Sequence, residues 1–292
     1  MEELRNQVES TRDLSSIARA MKALAAVRIR QSREAVRSLE TYALAVERGF
    51  QILVRKELRG LDFSPDPSRP TVALIMGSDL GMVGGFNRSV ADFALESLEG
   101  TEAKLVTVGE RITAELESDH GDIEARFPMP DRVDAMAERV QDLLLTLEEV
   151  RARHEPERVL AFHHAYLSGS EYEPRRIQLL PLDPIWLDRL AEKPWPARVL
   201  PTYRVSTSEL LSEMVKEHIF LSLFRAMAES HASENASRLA AMESAEQKIQ
   251  DQLQELTGRL KQQRQQQMTE ELLDIMAGAT ALEDDEEEGG PG

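Results

Sequence analysis

Apolar residues at Leu14, Ile17, Met21 and Leu24, and again at Ala35, Leu39, Tyr42 and Val46, recur in steps of three and four. That spacing predicts the seam of a long helix that packs lengthwise on another. Residues 2–59 contain no proline and one glycine, Gly49, and as a single helix they would run roughly 85 Å. A second such segment opens with Ser206 three residues before Glu209, the spacing of a capping box. It runs without proline to Ala281, with Leu239, Met242, Ile249, Leu253, Leu256 and Leu260 as its seam, and would be on the order of 110 Å long. Two rods of this length at the two ends of one chain must lie antiparallel, as a coiled coil.

Between them the periodicity changes. "TVALIMG" (71–77), "AKLVTVG" (103–109), "RVLAFHHAY" (158–166) and "RRIQLLPL" (175–182) read as strands, with "DIEARF" (122–127) a weaker fifth. Helical patterns cover Phe86–Leu98, Glu110–Glu117 and Asp131–Arg151. Strand–helix alternation predicts a small, parallel-rich α/β domain. Proline-rich stretches at 62–70 and 192–201 mark its limits. The expected organisation is therefore a helix over 1–61, an α/β domain over 62–201, a helix over 202–282 and a solvated tail over 283–292.

Composition adjusts this picture in three places. The net charge is −17, and six of the acids form the run Glu283–Glu288 ahead of "GGPG", which reads as a disordered tail. Against that background Arg19, Lys22, Arg28, Arg30, Arg33 and Arg37 face a single acid, Glu34. The cluster is either the solvated face of a helix or a surface for an acidic partner. With no cysteine in the chain, disulfides, thiolate metal sites and a cysteine nucleophile are excluded. No apolar run approaches the ~18 residues of a membrane span, and the acidic, polar start "MEELRNQVES" is neither a signal nor a transit peptide. Any membrane association is expected to be indirect.

One stretch has the look of a nucleotide site. "MGSDLGMVGGFNRSV" (76–90) joins a strand to a helix through glycines, as phosphate-binding loops do. Phe86 and Asn87 follow Gly85 where a P-loop needs Lys and Ser/Thr, and no ribose-binding acid ends the second strand. Gly81, Gly84 and Gly85 are therefore expected to serve a tight turn and close helix–sheet packing. His163 and His164 are neighbours on a strand and face opposite sides. His218 and His231 lie thirteen apart on a helix and diverge. No residue set supports catalysis, a metal or a cofactor. The basic cluster lacks aromatic residues to stack on bases, and the acidic chain repels phosphate, so nucleic acid is not an expected partner.

Three separated segments carry a resemblance. "SSIARAMKALAAVRIRQS" (15–32) is similar to "ITKAMKMVAASKLRKA", the glycine turn to "TSDRGLCGAFNSNV", and "HASENASRLAAMESA" (231–245) with "RQQQMTEELLDIMAGATAL" (264–282) to "ASEHASRMVAMKAAT" and "RQAAITQELLEIVAGAAAL". The second string of each pair belongs to the gamma subunit of F-type ATP synthases, which this chain resembles along nearly its whole length. The resemblance implies a terminal coiled coil flanking a small Rossmann-like α/β domain, in which the glycine turn is structural. It also implies a non-catalytic rotor shaft inside a ring of alpha and beta subunits, seated on the membrane rotor ring beside the epsilon subunit. It carries roles in subunit contact onto Met21, Lys22, Arg264, Gln265, Thr269 and Glu271, and places Arg28, Arg30 and Arg33 near acidic loops of the beta subunits. The expected location is the cytoplasmic face of a bacterial membrane. Leu80, Val83 and Lys261 depart from the family pattern at the turn and the shaft, pointing to a divergent branch. The competing readings are a nucleotide-dependent enzyme with helical arms, which would bind nucleotide saturably, and a free-standing coiled-coil scaffold, which would self-assemble.

Overall fold

The computed structural model describes residues 2–55, 69–120, 123–199 and 201–288. The first proline-rich limit falls mostly outside them. The chain divides into two compact units, one of residues 1–22 with 242–292, the other of residues 23–241.

The first unit pairs the start of helix α1 (Glu2–Ser38) with the later part of helix α7 (Thr207–Glu288). The pairing is antiparallel: Arg19 and Lys22 reach Glu246 at 2.8 and 2.9 Å, while residues 2–11 lie opposite residues 252–259. On α7 the expected seam holds, with Met242 and Leu256 buried and Ile249, Leu253 and Leu260 half-buried. On α1 it does not. The buried positions are Val8, Thr11, Ser15 and Ala18, whereas Leu14 and Ile17 are 54% and 53% exposed. The two sets are offset by one residue, about 100° around the helix. Small side chains win the inner face because they let the helix axes approach and give the long side chains of α7 somewhere to sit. α7 is helical to Glu288 rather than ending at Leu282. The reason is local: glutamate is a good helix former, and no glycine or proline intervenes before Gly289.

The second unit repeats the one-residue offset: Ala25, Ile29 and Ser32 are buried and Leu24 and Val27 exposed. The expected single rod is broken at Leu39, which separates α1 from α2 (Glu40–Leu53). There Leu39 N–H bonds Val36 C=O, and Ser38 Oγ donates to Ala35 C=O, competing with the helical ladder. α2 then buries Val46, Phe50 and Leu53 with Leu221 of α7 and with α6 (Pro184–Glu192). An added Cβ at Gly49 would lie 2.5 Å from Met214 Sδ, so α2 and the flexible Met214 side chain of α7 are in close contact there. α6 was not foreseen, although Asp183 caps it through Ile185 N–H at 2.9 Å and Pro184 sits in its first turn.

The five expected strands all form: β1 (Thr71–Met76), β2 (Ala103–Val108), β3 (Ile123–Phe127), β4 (Arg158–Ser168) and β5 (Glu171–Leu180). Their order is β3-β2-β1-β4-β5, parallel except for β5, which returns antiparallel from β4. Alternating residues fill two cores. Val72, Leu74, Met76, Val106, Val108, Val159 and Ala161 face α5 (Met136–His154) and α7. Ala73, Ile75, Leu105, Leu160 and Phe162 face α3 (Phe86–Ser97) and α4 (Glu110–His120). β1 is buried on both sides, hence its unbroken apolar run.

Neighbouring substitutions test the seam. Ala25, 1% exposed, should not accept leucine without a loss of about 1–3 kcal/mol from overpacking. Leu24→Gln, on an exposed position, should stay within about 0.5 kcal/mol of the parent. Denaturant unfolding of the two variants decides between the registers, and the opposite ranking would restore the one expected from the large apolar residues.

Candidate functional site: the glycine turn and the polar stretch of α7

The turn after β1 is held by its own side chains, which bond the turn and the segments beside it. Asp79 Oδ1 accepts from Glu110 N–H at 2.9 Å and Met129 N–H at 3.0 Å, which sets a carboxylate at the start of α4. Asn87 Oδ1 accepts from Ser78 N–H, and Asn87 Nδ2 donates to Ser78 Oγ, both at 2.9 Å. The glycines divide by need. Gly84 has φ +54°, and an added Cβ at Gly77 would sit 2.3 Å from Ile112 Cβ. Gly81 and Gly85 have ordinary dihedrals and open space. Close packing therefore falls on Gly77, a position outside the expected trio, while Met82 takes φ 61° itself.

The turn is fastened to α7 by Ser237, whose Oγ donates to Val83 C=O at 2.6 Å and accepts from Tyr172 at 3.1 Å. Ser237 belongs to a run in which Ser230, His231, Ser233, Glu234, Asn235, Ser237 and Arg238 are all buried. Ser230 Oγ has no partner among the described residues, and the bonds of the other six satisfy this interior. His231 Nδ1 meets Ser32 Oγ at 2.8 Å, tying α1 to α7. Arg238 bridges Glu234 at 2.5 Å and Asn235 at 3.3 Å. Ser233 Oγ donates to Glu229 C=O at 2.8 Å and to His164 C=O at 3.2 Å.

His163 and His164 do face opposite sides. His163 Nε2 lies 3.2 Å from Glu229 on α7, and His164 sits with Phe86 and Tyr172 at ring separations of 4.3 and 4.9 Å. Burial, with His163 beside it, pushes His164 down to about 3. Burial, reinforced by Arg28 and Arg238, pushes His231 down to about 4. Burial pushes Glu234 up, with Arg238 and Arg28 pulling against it. Among the described residues no group of three or more His, Cys, Asp or Glu could hold a metal ion.

The basic residues divide: Arg30, Arg33 and Arg37 are exposed and follow at steps of three and four on one helix face, while Lys22 and Arg28 are half-buried. Lys22, raised by its bonds to Glu246, belongs to the α1–α7 pairing, and Met21 beside it is half-buried. Arg28 is half-buried and acts on His231 and Glu234. Arg30 points outward and pairs with Glu34 at 3.4 Å. Arg33 lies 5.5 Å over the Tyr166 ring. Arg264, Gln265, Thr269 and Glu271 are all exposed, as are Met268, Leu272, Leu273, Ile275 and Met276 around them. From Arg264 to Met276 no described side chain is buried. Met268, Leu272 and Ile275 recur at helical spacing as an exposed apolar face.

Long terminal helices flanking a five-stranded mixed sheet also occur in solved rotor chains. A chain of the Euglena gracilis mitochondrial ATP synthase, in an OSCP/F1/c-ring assembly, superposes with TM-score 0.66 at 16% identity, over 98% of this chain and 95% of that one. A chain of the Tetrahymena thermophila central stalk/c-ring gives 0.59 at 18%, over 78% and 99%. The fold therefore defines a class, chains with long terminal helices and a five-stranded α/β domain between them in sequence. The family model described as ATP synthase matches residues 1–282, and the chain belongs to the ATP synthase gamma family. The ATP synthase gamma chain of Alkaliphilus metalliredigens is 24% identical over 214 residues, 72% of this chain and 74% of the relative. That of Paracoccus denitrificans is 28% identical over 137 residues, 42% and 46%. The match thus spans under half of the Paracoccus relative.

The buried histidines make stability depend on pH. Their folded values lie below the unfolded value of about 6.5, so the stability each neutral ring retains is lost as pH falls below that value, down to its folded value. At pH 5 the loss should be about 2 kcal/mol per histidine relative to neutral pH. His164→Leu should flatten the profile by that amount, measured by denaturant unfolding at pH 7 and 5. An unchanged slope would mean that the ring is accessible to protons in the folded chain.

Proposed function

We propose that this chain is the central rotor shaft of an F-type ATP synthase, coupling ion-driven rotation of a membrane ring to ATP synthesis or hydrolysis in a ring of alpha and beta subunits. The observation that carries this reading is the far part of α7, where Met268, Leu272 and Ile275 lie exposed beside Arg264, Gln265, Thr269 and Glu271. A helix end with an uncovered apolar face is suited to sit inside a sleeve of other subunits. A shaft can bias three otherwise equivalent sites only by contacting them differently. Leu14 and Ile17 on α1, left outside its own seam, add to the surface such a sleeve would cover.

On this reading the chain supplies no catalytic group and holds no cofactor. Its partners are the alpha, beta and epsilon subunits and the membrane ring, it makes no direct membrane insertion, and it works on the cytoplasmic face of a bacterial membrane. No helix among the described residues is long and apolar enough to cross a membrane. Met21, Lys22, Arg28, Arg30 and Arg33 are contact residues in the same proposal; of these, Arg30 has the freest side chain to meet an acidic loop. The divisions 1–61, 62–201 and 202–282 serve as shaft, α/β body and shaft, with 283–292 dispensable. The nucleotide-enzyme reading is disfavoured by the turn itself, which lacks the Lys and Ser/Thr of a phosphate loop and whose Ser78 N–H is already held by Asn87.

Two experiments on the assembled complex test the proposal. Removing residues 283–292 should leave ATP turnover and its coupling to ion movement nearly intact, and removing 264–292 should uncouple them. Equal damage from both would assign the tail a role. Because the chain has no cysteine, Thr269→Cys gives a single thiol. Cross-linked to a cysteine in a beta subunit, it should stop multi-site turnover, and reductant should restore it. Undiminished turnover in a fully cross-linked sample would sink the rotor reading.

A further inference from the structure

Where α1 meets the middle of α7, both helices bring charge to the contact. Ala25, Ile29 and Ser32 are the buried residues of α1 there, and Arg28 stands half-buried among them. From α7 come His231, Glu234 and Arg238, all buried. His231 is held on two sides: its Nδ1 lies 2.8 Å from Ser32 Oγ, and it bonds the Asp131 backbone in the segment after β3. Glu234 bonds Arg238 at 2.5 Å on its own helix. Arg28 acts on both His231 and Glu234, the Asp131 carboxylate acts on His231, and Asp79 of the glycine turn acts on Glu234. Glu229, earlier on α7, is turned to His163 of β4 at 3.2 Å.

At neutral pH this arrangement draws α1 in, because the Arg28 guanidinium meets the Glu234 carboxylate and an uncharged His231 ring. Acid reverses it from both residues of α7. Burial, with Arg28 and Arg238 acting the same way, pushes His231 down to about 4, so the ring resists a proton while the contact is closed. Burial pushes Glu234 up, against the pull of Arg238, so this carboxylate is lost at a higher pH than an exposed one. A charged ring and a neutral carboxyl then turn the attraction on Arg28 into repulsion, with Asp131 and Asp79 left to offset it. Moving α1 away relieves the strain, since it returns His231 to water on the side that Ser32 covers.

We propose that Arg28, His231 and Glu234 form an acid-sensitive clasp, which holds α1 against α7 at neutral pH and releases it in acid. α1 is the partner that yields. Its inner face from Ala25 to Ser32 has one large apolar residue, Ile29, whereas α7 is also bonded to the glycine turn through Ser237 and to β4 through Ser233. The clasp lies within the second unit and belongs to the chain by itself, so it does not depend on the rotor reading. A ring whose closed value is about 4 and whose open value is about 6.5 favours the closed contact fully above the higher value and loses that preference down to the lower one. Between pH 7 and pH 5 the open fraction should rise about 20-fold.

Amide exchange on the full-length chain, corrected for the intrinsic effect of pH, tests the clasp. From pH 7 to pH 5 the amides of residues 24–35 should lose about 20-fold in protection. At pH 5 their exchange should not respond to low denaturant, the mark of a local opening, whereas that of β1 should. His231→Gln keeps a hydrogen-bonding side chain that takes no proton, and it should remove most of the fall. Arg28→Gln should shrink the fall, while Arg30→Gln, an equal change of charge on the outer side of α1, should leave it as it is. Circular dichroism checks the fold of each variant; if His231→Gln misfolds, the two arginine variants decide. Three results would overturn the proposal: α1 protection that survives at pH 5, α1 exchange that follows β1 in denaturant, or a fall that a folded His231→Gln variant keeps. Equal effects of Arg28→Gln and Arg30→Gln would do the same.

Discussion

The middle of α7 must be buried, and it is buried largely through polar side chains. Seven polar or charged residues between Ser230 and Arg238 lie out of water, and each unmet hydrogen bond there would cost on the order of 1–3 kcal/mol. The surroundings are arranged around that demand. Ser32 answers His231, Val83 C=O answers Ser237, and His164 C=O answers Ser233. One helix is thereby registered against α1, the glycine turn and β4 at once. An apolar stripe could slide by a turn at small cost; hydrogen bonds of fixed direction cannot. The Arg238–Glu234 pair contributes to this fixing of position more surely than to net stability, since desolvating both charges offsets much of their attraction.

The same logic explains why the glycine turn resembles a phosphate loop without behaving as one. A strand, a sharp turn and a helix bring N–H groups together at the end of a parallel sheet wherever they occur. Here Asp79 turns its carboxylate to the N–H groups of Glu110 and Met129, in neighbouring segments, and Asn87 takes Ser78 N–H.

Strands were legible because each carried its own apolar run, and α7 because Met242, Leu256 and their neighbours are both large and inward. The α1 seam misled for the converse reason. Hydrophobic periodicity weights Leu14, Ile17 and Leu24, while the contact selects Ser15, Ala18 and Ala25 for their size; a sequence pattern records apolarity and not how closely two axes approach. The break at Leu39 and helix α6 depend on Ser38 and Asp183, single polar residues whose local bonds outweigh the pattern around them. The charges at Arg28, Arg30 and Arg33 read as one surface because they are close in sequence, yet positions two apart on a helix diverge while those three apart share a face, so Arg28 parts from Arg30 and Arg33 does not. Only the fold separates Arg28, turned to the buried acid and histidine, from Arg30, turned to solvent.

The sheet has two open borders, and they are guarded differently. β3 is five residues long, and charged side chains stand on it, Arg126 with Glu117 and Glu124 with Arg153. β5 is ten residues long, but Pro174 removes one donor from its backbone, and Glu173, Arg175 and Arg176 flank the gap. Short length, charge and proline are the means by which natural sheets discourage strand-to-strand association. A chain that exposes apolar helix faces is already prone to clump before those faces are covered. Its sheet does not add to that hazard, so the newly made polypeptide has one kind of sticky surface to protect and not two.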